Sequence, residues 1–448
     1  MPTAVAVVPT IEASAVMQNS GFVTAVTIGG EAFINDLIPN DALAVVSFNA
    51  QGSVVYPGNN ALVVVDQTLS QLTAANAAVQ ALTYTNTSVN IGAGLQTAYG
   101  LLSSPPANSV PGVLLISSGQ QTAGGTDPLK LATYKPTWVC APGPTANIAL
   151  LNQIAALSNG KYYYMPTADD MQTILNQIRG QFPNWQTVVN QFKSVDPLGF
   201  WLQPVTLASG LAEAQFSVVW ENASFTQTNS SNPGPNQVSV TLVQPPGITL
   251  PAAPTLSGGG YCVFNIANPV SGPGQWYVQV MYPGTVNPLP MTIGVFARPK
   301  ASQSPRLQLR PAAPPKAGTP VQVDATLEGA SEPIEITAAT AEIVAPRMTL
   351  ERVLRIYADA MKEVACEQDG PLPRLLALRQ HLLPKGDILG HERRMVPLAM
   401  ANTGRHTLTA TAAATAGSLN CKVHVQGRVG RSGTAFEQTE LLSLHIPA

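Results

Sequence analysis

The sequence predicts a multidomain protein: an N-terminal α/β domain with a doubly wound, mainly parallel sheet, followed by two all-β sandwich domains, the last with a helical insertion. Three observations lead to this prediction. The chain has 448 residues, more than one hydrophobic core usually organises. Its first 182 residues alternate short apolar runs with helical patterns, which is typical of parallel α/β sheets. Beyond them, runs of alternating polar and apolar residues lie between Pro and Gly turns, as in antiparallel sheets.

Residues 1–182 are predicted to form the α/β domain. Its strands are mostly continuous apolar runs, as expected of strands buried on both faces, and are predicted at 3–8, 42–48, 113–117, 137–140 and 161–164. Helices are predicted between them, at 27–37, 69–82, 92–102, 148–158 and 169–179. In the last of these, apolar residues recur at helical spacing.

Residues 183–300 are predicted to form an antiparallel β-sandwich. Its strands are predicted at 215–220, 238–243, 261–266, 276–282 and 292–297. The connecting segments are rich in Asn, Pro and Gly, the residues that favour turns.

Residues 301–448 are predicted to form an immunoglobulin-like sandwich with a helical insertion at about 349–384. Strands are predicted at 321–327, 334–343, 406–411 and 421–426. In the insertion, Thr349 is a candidate N-cap, and a second short helix is predicted at 374–383. One apolar face of the first helix is predicted from Leu350, Val353, Leu354, Tyr357, Met361 and Val364. Two roles stay open for this pair: covering the sandwich or docking on a neighbour.

The chain carries unusually little charge. Charged residues make up 11% of it, against about 25% in ordinary globular proteins. The first Lys or Arg is Lys130, and the net charge is −2, which argues against nucleic acid because phosphates require clustered cations. Weakly charged surfaces repel one another little, so we expect either secretion or extensive contact with a protein partner or other copies of the chain.

The sequence does not indicate a compartment. A secretory leader would need a cationic segment and then an apolar run, and a membrane span would need about 20 apolar residues; the sequence contains neither. We therefore expect a cytoplasmic protein, or one exported without a visible leader. The four cysteines are far apart and are expected to be small buried hydrophobes, although Cys366 and Cys421 share a predicted domain and could form a disulfide.

The first 182 residues resemble a von Willebrand factor A domain. The order of predicted elements agrees with that family, and so do several phrases, namely "IEASAVM", "EAFINDL", "ALAVVSF", "NIGAGLQTAYGLL", "GVLLISSG" and the closing "LNQIAALSNGKYYYMPTADDMQTILNQI". The downstream phrases "AEAQFSVVWENAS", "VSVTLVQPPG", "GQWYVQVMY" and "NTGRHTLTATA" resemble the sandwich and immunoglobulin-like domains of calcium-activated chloride channel regulator proteins. This second resemblance implies the same domain order.

The family resemblance implies a divalent-cation site, but this sequence lacks most of its ligands. The family's Asp-x-Ser-x-Ser motif corresponds to Glu12, Ser14 and Val16, its loop Thr to Val89, and its second Asp to Ser118. Valine has no oxygen to offer a hard cation such as Mg²⁺. We therefore predict a degenerate site without metal or cofactor. Glu12 and Ser14 have two interpretations: an altered cation site, and capping of free backbone N–H groups, which we prefer.

No catalytic residues are predicted. All five histidines lie beyond residue 380, and the sequence contains no P-loop, GxSxG or HExxH motif. The sequence thus favours a non-enzymatic interaction, scaffold or assembly protein with a metal-independent A domain, whose partners are other proteins or further copies of the chain. Two alternatives remain: a cation-dependent adhesion or receptor protein, and an accessory subunit of an ATPase, protease or secretion machine.

Overall fold

The structure is a computed structural model. It describes residues 4–131, 134–220, 222–250, 253–269, 275–284, 287–300, 305–329, 332–362, 387–396, 398–401, 407–412, 416–430 and 433–447. The predicted helix at 374–383, and with it Val364, Cys366 and the Cys366–Cys421 pairing, falls outside the described residues.

The N-terminal unit contains a mixed, mostly parallel sheet. Its strands are β1 (Ala4–Glu12), β2 (Ala42–Leu43), β3 (Val45–Phe48), β4 (Gly52–Tyr56), β5 (Val63–Val64), β6 (Ser109–Ile116), β7 (Thr137–Pro142) and β8 (Lys161–Met165). They run in the order β4-β3-β1-β6-β7-β8, with the short β2 and β5 beside β1. Only the contacts of β4 with β3 and of β5 with β2 are antiparallel. The predicted α/β class is confirmed.

Helices cover both faces of this sheet. They are α1 (Ala15–Ser20), α2 (Val23–Asn35), α3 (Ser70–Gln80), α4 (Ile91–Leu101), α5 (Ile148–Leu157) and α6 (Met171–Arg179), with 3-10 turns at Pro128–Lys130 and Ala168–Asp170. Successive side chains of a strand point to opposite faces. Val5 and Val7 of β1 therefore join the core with α2, α3 and α6, whereas Ala6 and Val8 join the core with α4 and α5.

The second unit consists of two largely antiparallel sheets packed face to face. Its strands are β9 (Gln186–Val195), β10 (Phe200–Val205), β11 (Leu211–Trp220), β12 (Thr226–Thr228), β13 (Gln237–Gln244), β14 (Ile248–Thr249), β15 (Leu256–Gly258), β16 (Tyr261–Ala267), β17 (Trp276–Met281) and β18 (Leu289–Pro299). One sheet has the order β10-β17-β13-β12 with β14 on β13, and the other β15-β16-β11-β18-β9. Phe216 of β11 meets Trp276 of β17 in the core between them, with ring centroids 5.4 Å apart.

The third unit also contains two antiparallel sheets. Its elements are β19 (Arg306–Pro311), β20 (Val321–Glu328), β21 (Ile334–Pro346), α7 (Leu350–Ile356), α8 (Ala358–Lys362), β22 (His391–Val396), β23 (Ala399–Ala401), β24 (Thr407–Ala412), β25 (Gly417–Val429) and β26 (Thr434–Ile446). The sheets have the orders β19-β20-β24-β23 and β22-β21-β25-β26. The Arg352 N–H donates to Thr349 Oγ1 over 3.2 Å, so Thr349 caps α7 as predicted. The single helix predicted from residue 350 is instead interrupted at Tyr357, although its apolar side chains still pack around buried Val353, Ile388 and Leu389.

Side chains of the third unit complete the open edge of the first sheet. Strand β8 lies at the end of that sheet, and the Tyr164 N–H donates to Ser443 Oγ over 3.0 Å. Asn420 Nδ2 donates to the Tyr164 carbonyl over 2.8 Å. Glu440 on β26 also accepts from Gln177 Nε2 at 2.7 Å and from Lys161 Nζ at 3.2 Å. The backbone groups of Tyr164, which an open sheet edge would leave free for another chain, are thereby bound.

Arg179, at the end of α6, joins the first unit to the second. It is fully buried, and its Nε donates to the Asp36 carbonyl at 3.0 Å and to Gln215 Oε1 at 3.1 Å. Its guanidinium lies 4.0 Å from the centre of the Trp185 ring. The cation is therefore part of the interior. Across the described part of the chain, no helix is long and apolar enough to cross a bilayer.

Candidate functional site

The candidate site lies where β1 and β6 end. In an open α/β sheet, ligands bind beyond the carboxyl ends of the strands. We call this place the carboxyl edge and define it by residues 12–17, 89–92 and 117–126. Glu12 is the last residue of β1, and Ser117 and Ser118 directly follow β6. The pairing of β1 with β6 brings these segments together.

Glu12 is at the centre of the carboxyl edge and has no exposed surface. Its Oε1 accepts from Ser14 Oγ at 2.5 Å and from Ser118 Oγ at 2.9 Å. Its Oε2 accepts from Ser117 Oγ at 2.8 Å, from the Ser118 N–H at 2.7 Å and from Ser118 Oγ at 2.8 Å. Both carboxylate oxygens are therefore already bound by groups of the protein.

The three serines can direct their hydroxyl hydrogens at Glu12 because their oxygens accept backbone N–H groups. Ser14 Oγ accepts from the Met17 N–H over 3.2 Å, which makes Ser14 the N-cap of α1. Ser117 Oγ accepts from the Gly119 N–H at 3.0 Å, and Ser118 Oγ from the Gln120 N–H at 3.4 Å. Hydrogen bonds to a charged acceptor are stronger than neutral ones, so this arrangement suits an ionised carboxylate.

Burial and hydrogen bonding act in opposite directions on Glu12. Burial raises the pKa of this carboxyl above its usual range, because a charge is less stable away from water. The hydrogen bonds from Ser14, Ser117 and Ser118 favour the charged form and oppose that rise. A buried carboxylate with this many donors contributes to local structure and offers little to a ligand.

Of the other predicted positions, neither valine offers an oxygen. Val16 is half-buried and packs against the core beside α4 and α5. Val89 is fully buried, and its backbone N–H donates to Thr122 Oγ1 over 2.9 Å. Next to it, Asn90 Oδ1 accepts from the Ala93 N–H at 3.0 Å and from Gln121 Nε2 at 3.1 Å. The loop after β6 thus closes over the start of α4.

The donors at the carboxyl edge do not fit a divalent cation. Mg²⁺ and Ca²⁺ need about six or more oxygen ligands with free lone pairs. Here the one carboxylate is used by Ser14, Ser117 and Ser118, and the residues at 16 and 89 are valines. In addition, no group of three or more His, Cys, Asp or Glu residues is arranged to hold a metal within the described residues.

Glu12, Ser14 and Ser118 lie together as the sequence predicts, but two features of the carboxyl edge are not visible in the sequence. The first is Ser117, which the sequence only places at the end of the predicted strand at 113–117. The second is the polar loop 120–126, whose Gln121 and Thr122 bind the segment before α4. The sequence of an uncharged polar loop does not indicate which backbone groups its side chains will bind.

Reactive side chains elsewhere are engaged or buried. Cys140, Cys262 and Cys421 are buried free thiols, and burial raises the pKa of each, so they are poor nucleophiles. His391 Nδ1 lies 2.6 Å from Asp387 Oδ1, and its Nε2 lies 3.2 Å from Tyr164 Oη. These histidine contacts lie in the interface between the third and first units, away from the carboxyl edge.

Substitution of Gly92 by alanine is expected to disrupt the carboxyl edge. A Cβ at this position on α4 would lie 1.9 Å from the Thr126 carbonyl oxygen, so the loop after β6 must move. We expect G92A to lower the free energy of unfolding by about 1–3 kcal/mol, as overpacking does, measured by denaturant unfolding.

Gly100 on the same helix provides the matched control. A Cβ there meets nothing within 4 Å, and alanine is a better helix former than glycine by about 0.5–1 kcal/mol. G100A should therefore stabilise the protein. Equal effects of the two substitutions would show that the loop does not pack on α4 as described.

Comparisons with known proteins found solved structures with a similar fold and no match to a protein family. No protein-family model and no curated protein matches the sequence. Among solved structures, the chain is similar to a von Willebrand factor type A protein from Catenulispora acidiphila, with 15% identity, a TM-score of 0.37, and coverage of 73% of this chain and 63% of that one. It is also similar to the ArnB paralog VWA2 from Sulfolobus acidocaldarius, with 11% identity, a TM-score of 0.29, and coverage of 73% and 62%.

A further similar structure is the PilB minor pilin from Streptococcus sanguinis, with 12% identity, a TM-score of 0.32, and coverage of 40% of this chain and 62% of that one. This chain spans less than two thirds of the length of each of the three proteins. The mostly parallel sheet and the helices of the N-terminal unit are described from its own strand order and elements. These likenesses identify neither a ligand nor a partner.

Proposed function

We propose that this chain is a non-enzymatic interaction and assembly protein that binds further copies of itself and needs no metal ion to do so. The observation that carries the proposal is an exposed, uncharged and largely apolar sheet face on the second unit. We call it the β10 face. It consists of residues on β10, the turn before it and the neighbouring strand β17, namely Leu198, Phe200, Leu202, Tyr277, Gln279 and Met281.

Three large apolar side chains of the β10 face are exposed to water. Leu198 is 75% exposed, Phe200 50% and Leu202 43%. The pairing of Phe200 with Met281 and of Leu202 with Gln279 places these side chains on the same side of the sheet. Contiguous apolar patches of this kind commonly mark protein interaction sites.

The opposite side of the same strands explains why the face cannot simply turn inward. Trp201, Val278 and Val280 alternate with the exposed residues and are buried in the core between the two sheets. Because side chains alternate along a strand, a shift of one residue would expose this core. The residues of the β10 face therefore remain on the outer side of the sheet.

The absence of charge on the β10 face favours another copy of the chain as its partner. None of its six side chains is ionisable near neutral pH, and the nearest charged residue in the sequence is the exposed Asp196, two residues before Leu198, so two copies can meet there with little like-charge repulsion. Strand β10 is also the last strand of its sheet, and exposed edges are sites where a second chain can add.

The carboxyl edge supports a non-enzymatic role. General acid-base catalysis needs a titratable group within reach of a substrate, and Glu12 is buried and bound by serines.

We further propose that residues 183–300 and 301–448 are separate sandwich domains in the order found in calcium-activated chloride channel regulator proteins.

Light scattering of the full chain tests the proposed assembly. At micromolar concentration we expect particles much larger than the 46.9 kDa of one chain, with no change on adding EDTA or Mg²⁺. The double variant F200S/L202S should reduce the particle size, because it places polar groups on the β10 face.

Leu157 is the control, since it is 54% exposed on α5 but lies on another unit. The variant L157S removes one exposed leucine and should leave the particle size unchanged. A wild-type chain that is monomeric at these concentrations would contradict the proposal, and a particle size that depends on Mg²⁺ would contradict its metal independence.

A further inference from the structure

We propose that the Glu12 carboxylate itself takes the structural place of the divalent cation that the family resemblance implies, so that the carboxyl edge is held together by the chain alone. The inference goes beyond the proposed function, which concerns the β10 face. It starts from the disagreement between the implied metal and the residues present at the carboxyl edge.

A cation bound at the carboxyl edge would connect the segment after β1 to the loop after β6, since its ligands would come from both. Glu12 makes this connection directly. Its Oε1 binds Ser14, which begins α1, and its Oε2 binds Ser117 and Ser118, which begin the loop. The two segments that a metal would join are therefore already joined by hydrogen bonds.

The chemistry of the substitutions is consistent across the carboxyl edge. Glutamate is one methylene longer than aspartate, so its carboxyl group extends further beyond the end of β1. At position 118, a serine hydroxyl donates to that carboxylate at 2.8 Å, whereas a second carboxylate would repel it. A serine at position 118 thus removes a cation ligand and also supplies a hydrogen-bond donor to the Glu12 carboxylate.

The two valines complete this arrangement. Positions 16 and 89 would supply further oxygens to a cation, and a hydroxyl there would need a partner of its own. Val89 is instead fully buried, and Val16 packs on the core. With Glu12 in place, the carboxyl edge has one state, and no ion has to bind before it is formed.

The first test uses the wild-type chain and one substitution. We expect the melting temperature to change by less than about 1 °C between EDTA and Mg²⁺, Ca²⁺ or Mn²⁺. The variant E12Q should lower it by roughly 5 °C, because an amide group directed at hydroxyl donors removes one acceptor and leaves donors buried. Hydrogen exchange should become faster in residues 14–20 and 117–122.

Glu31 is the matched control for this test. It is 6% exposed on α2, so E31Q makes the same chemical change at another buried glutamate. It should leave exchange in residues 14–20 and 117–122 unaltered. A wild-type chain that melts at least 2 °C higher with Mn²⁺, or an E12Q variant with unchanged exchange in those segments, would overturn the inference.

The second test rebuilds the cation ligands in the full chain. The variant E12D/V16S/V89T/S118D supplies the oxygens that the family resemblance implies, and we expect it to bind Mn²⁺ in isothermal titration calorimetry and to melt higher with Mg²⁺. If it is folded by circular dichroism but remains indifferent to both ions, Glu12 does not occupy the place of the cation. Light scattering of F200S/L202S tests the proposed contact at the β10 face independently. The proposed function and the inference about Glu12 can therefore fail separately.

Discussion

Replacement of Arg179 by methionine is expected to lower the free energy of unfolding by about 3–5 kcal/mol, the cost of removing one partner from a buried group of charges. Methionine has a similar length and keeps an apolar contact with the Trp185 ring, so the substitution mainly removes the charge and its donors. Unfolding in guanidinium chloride, followed by tryptophan fluorescence, measures the loss.

The expected size of this effect follows from the surroundings of Arg179. Burial lowers the pKa of the guanidinium, and the negative charges of Asp41 and Asp36 oppose that change. The substitution also removes the hydrogen bonds from Nε to the Asp36 carbonyl and to Gln215. Asp41 then loses a nearby cation, and the Asp36 carbonyl of the first unit and Gln215 of the second lose the donor that they share.

Lys161 provides the control for Arg179. It is also a cation that reaches another unit, where it pairs with Glu440 at 3.2 Å, but its side chain is 48% exposed. Exposed ion pairs contribute about 0–1 kcal/mol, so K161M should have a small effect. Similar losses for R179M and K161M would show that burial does not determine the contribution of Arg179.

The sequence predicts the elements with strong periodicity well. The predicted helix at 148–158 is α5, Ile148–Leu157, and the predicted strand at 137–140 lies within β7, Thr137–Pro142. These elements carry one apolar face or a continuous apolar run, so the burial pattern is visible in the residues themselves. The six-residue α1 and the edge strand β4 were not predicted, because each is too short to show a period.

The interfaces between the units could not be predicted. Strand β9 was missed because buried Asn190 interrupts its apolar pattern, and Asn190 Nδ2 donates to the Thr173 carbonyl on α6 over 2.7 Å. Strand β26 was missed for the same reason, since Gln438 and Thr439 are buried against residues near the start of β9. Polar residues that are buried by another unit look like surface residues in the sequence.

The sequence predicts that the candidate site lacks cation ligands, but it does not predict how the residues of the site bind one another. The prediction that cation ligands are missing depends only on the identity of the residues at 12, 16, 89 and 118. That Glu12 would accept from Ser14, Ser117 and Ser118 at once depends on how β1 and β6 end side by side. Such convergence is a property of the sheet and not of any local segment.

Replacement of Asp36 by asparagine is expected to stabilise the protein at pH 8 by about 4–5 kcal/mol and to have almost no effect near pH 4. Burial raises the pKa of Asp36 to about 7, although the charge of Arg179 opposes the rise. In the unfolded chain the carboxyl has its ordinary pKa, near 3.8.

The sign follows from the protons bound in each state. Between pH 4 and pH 7 the folded chain holds a proton on Asp36 that the unfolded chain has lost, so stability falls as pH rises. Each unit of pKa difference corresponds to about 1.4 kcal/mol, and above pH 7 the loss is complete. Asparagine is neutral throughout, so the advantage of D36N should grow across this window when unfolding is measured at pH 4, 5, 6, 7 and 8.

Asp66 gives a control of opposite sign. It is fully exposed, and hydrogen bonds from Thr68 and Gln71 lower its pKa, so D66N should slightly lower the melting temperature at pH 7 and lose that effect at pH 3. An advantage of D36N that stays constant from pH 8 to pH 5 would mean that Asp36 is ionised throughout. In that case the charge of Arg179 would keep Asp36 ionised. R179M should then lower the free energy of unfolding at pH 5 as much as it does at pH 8.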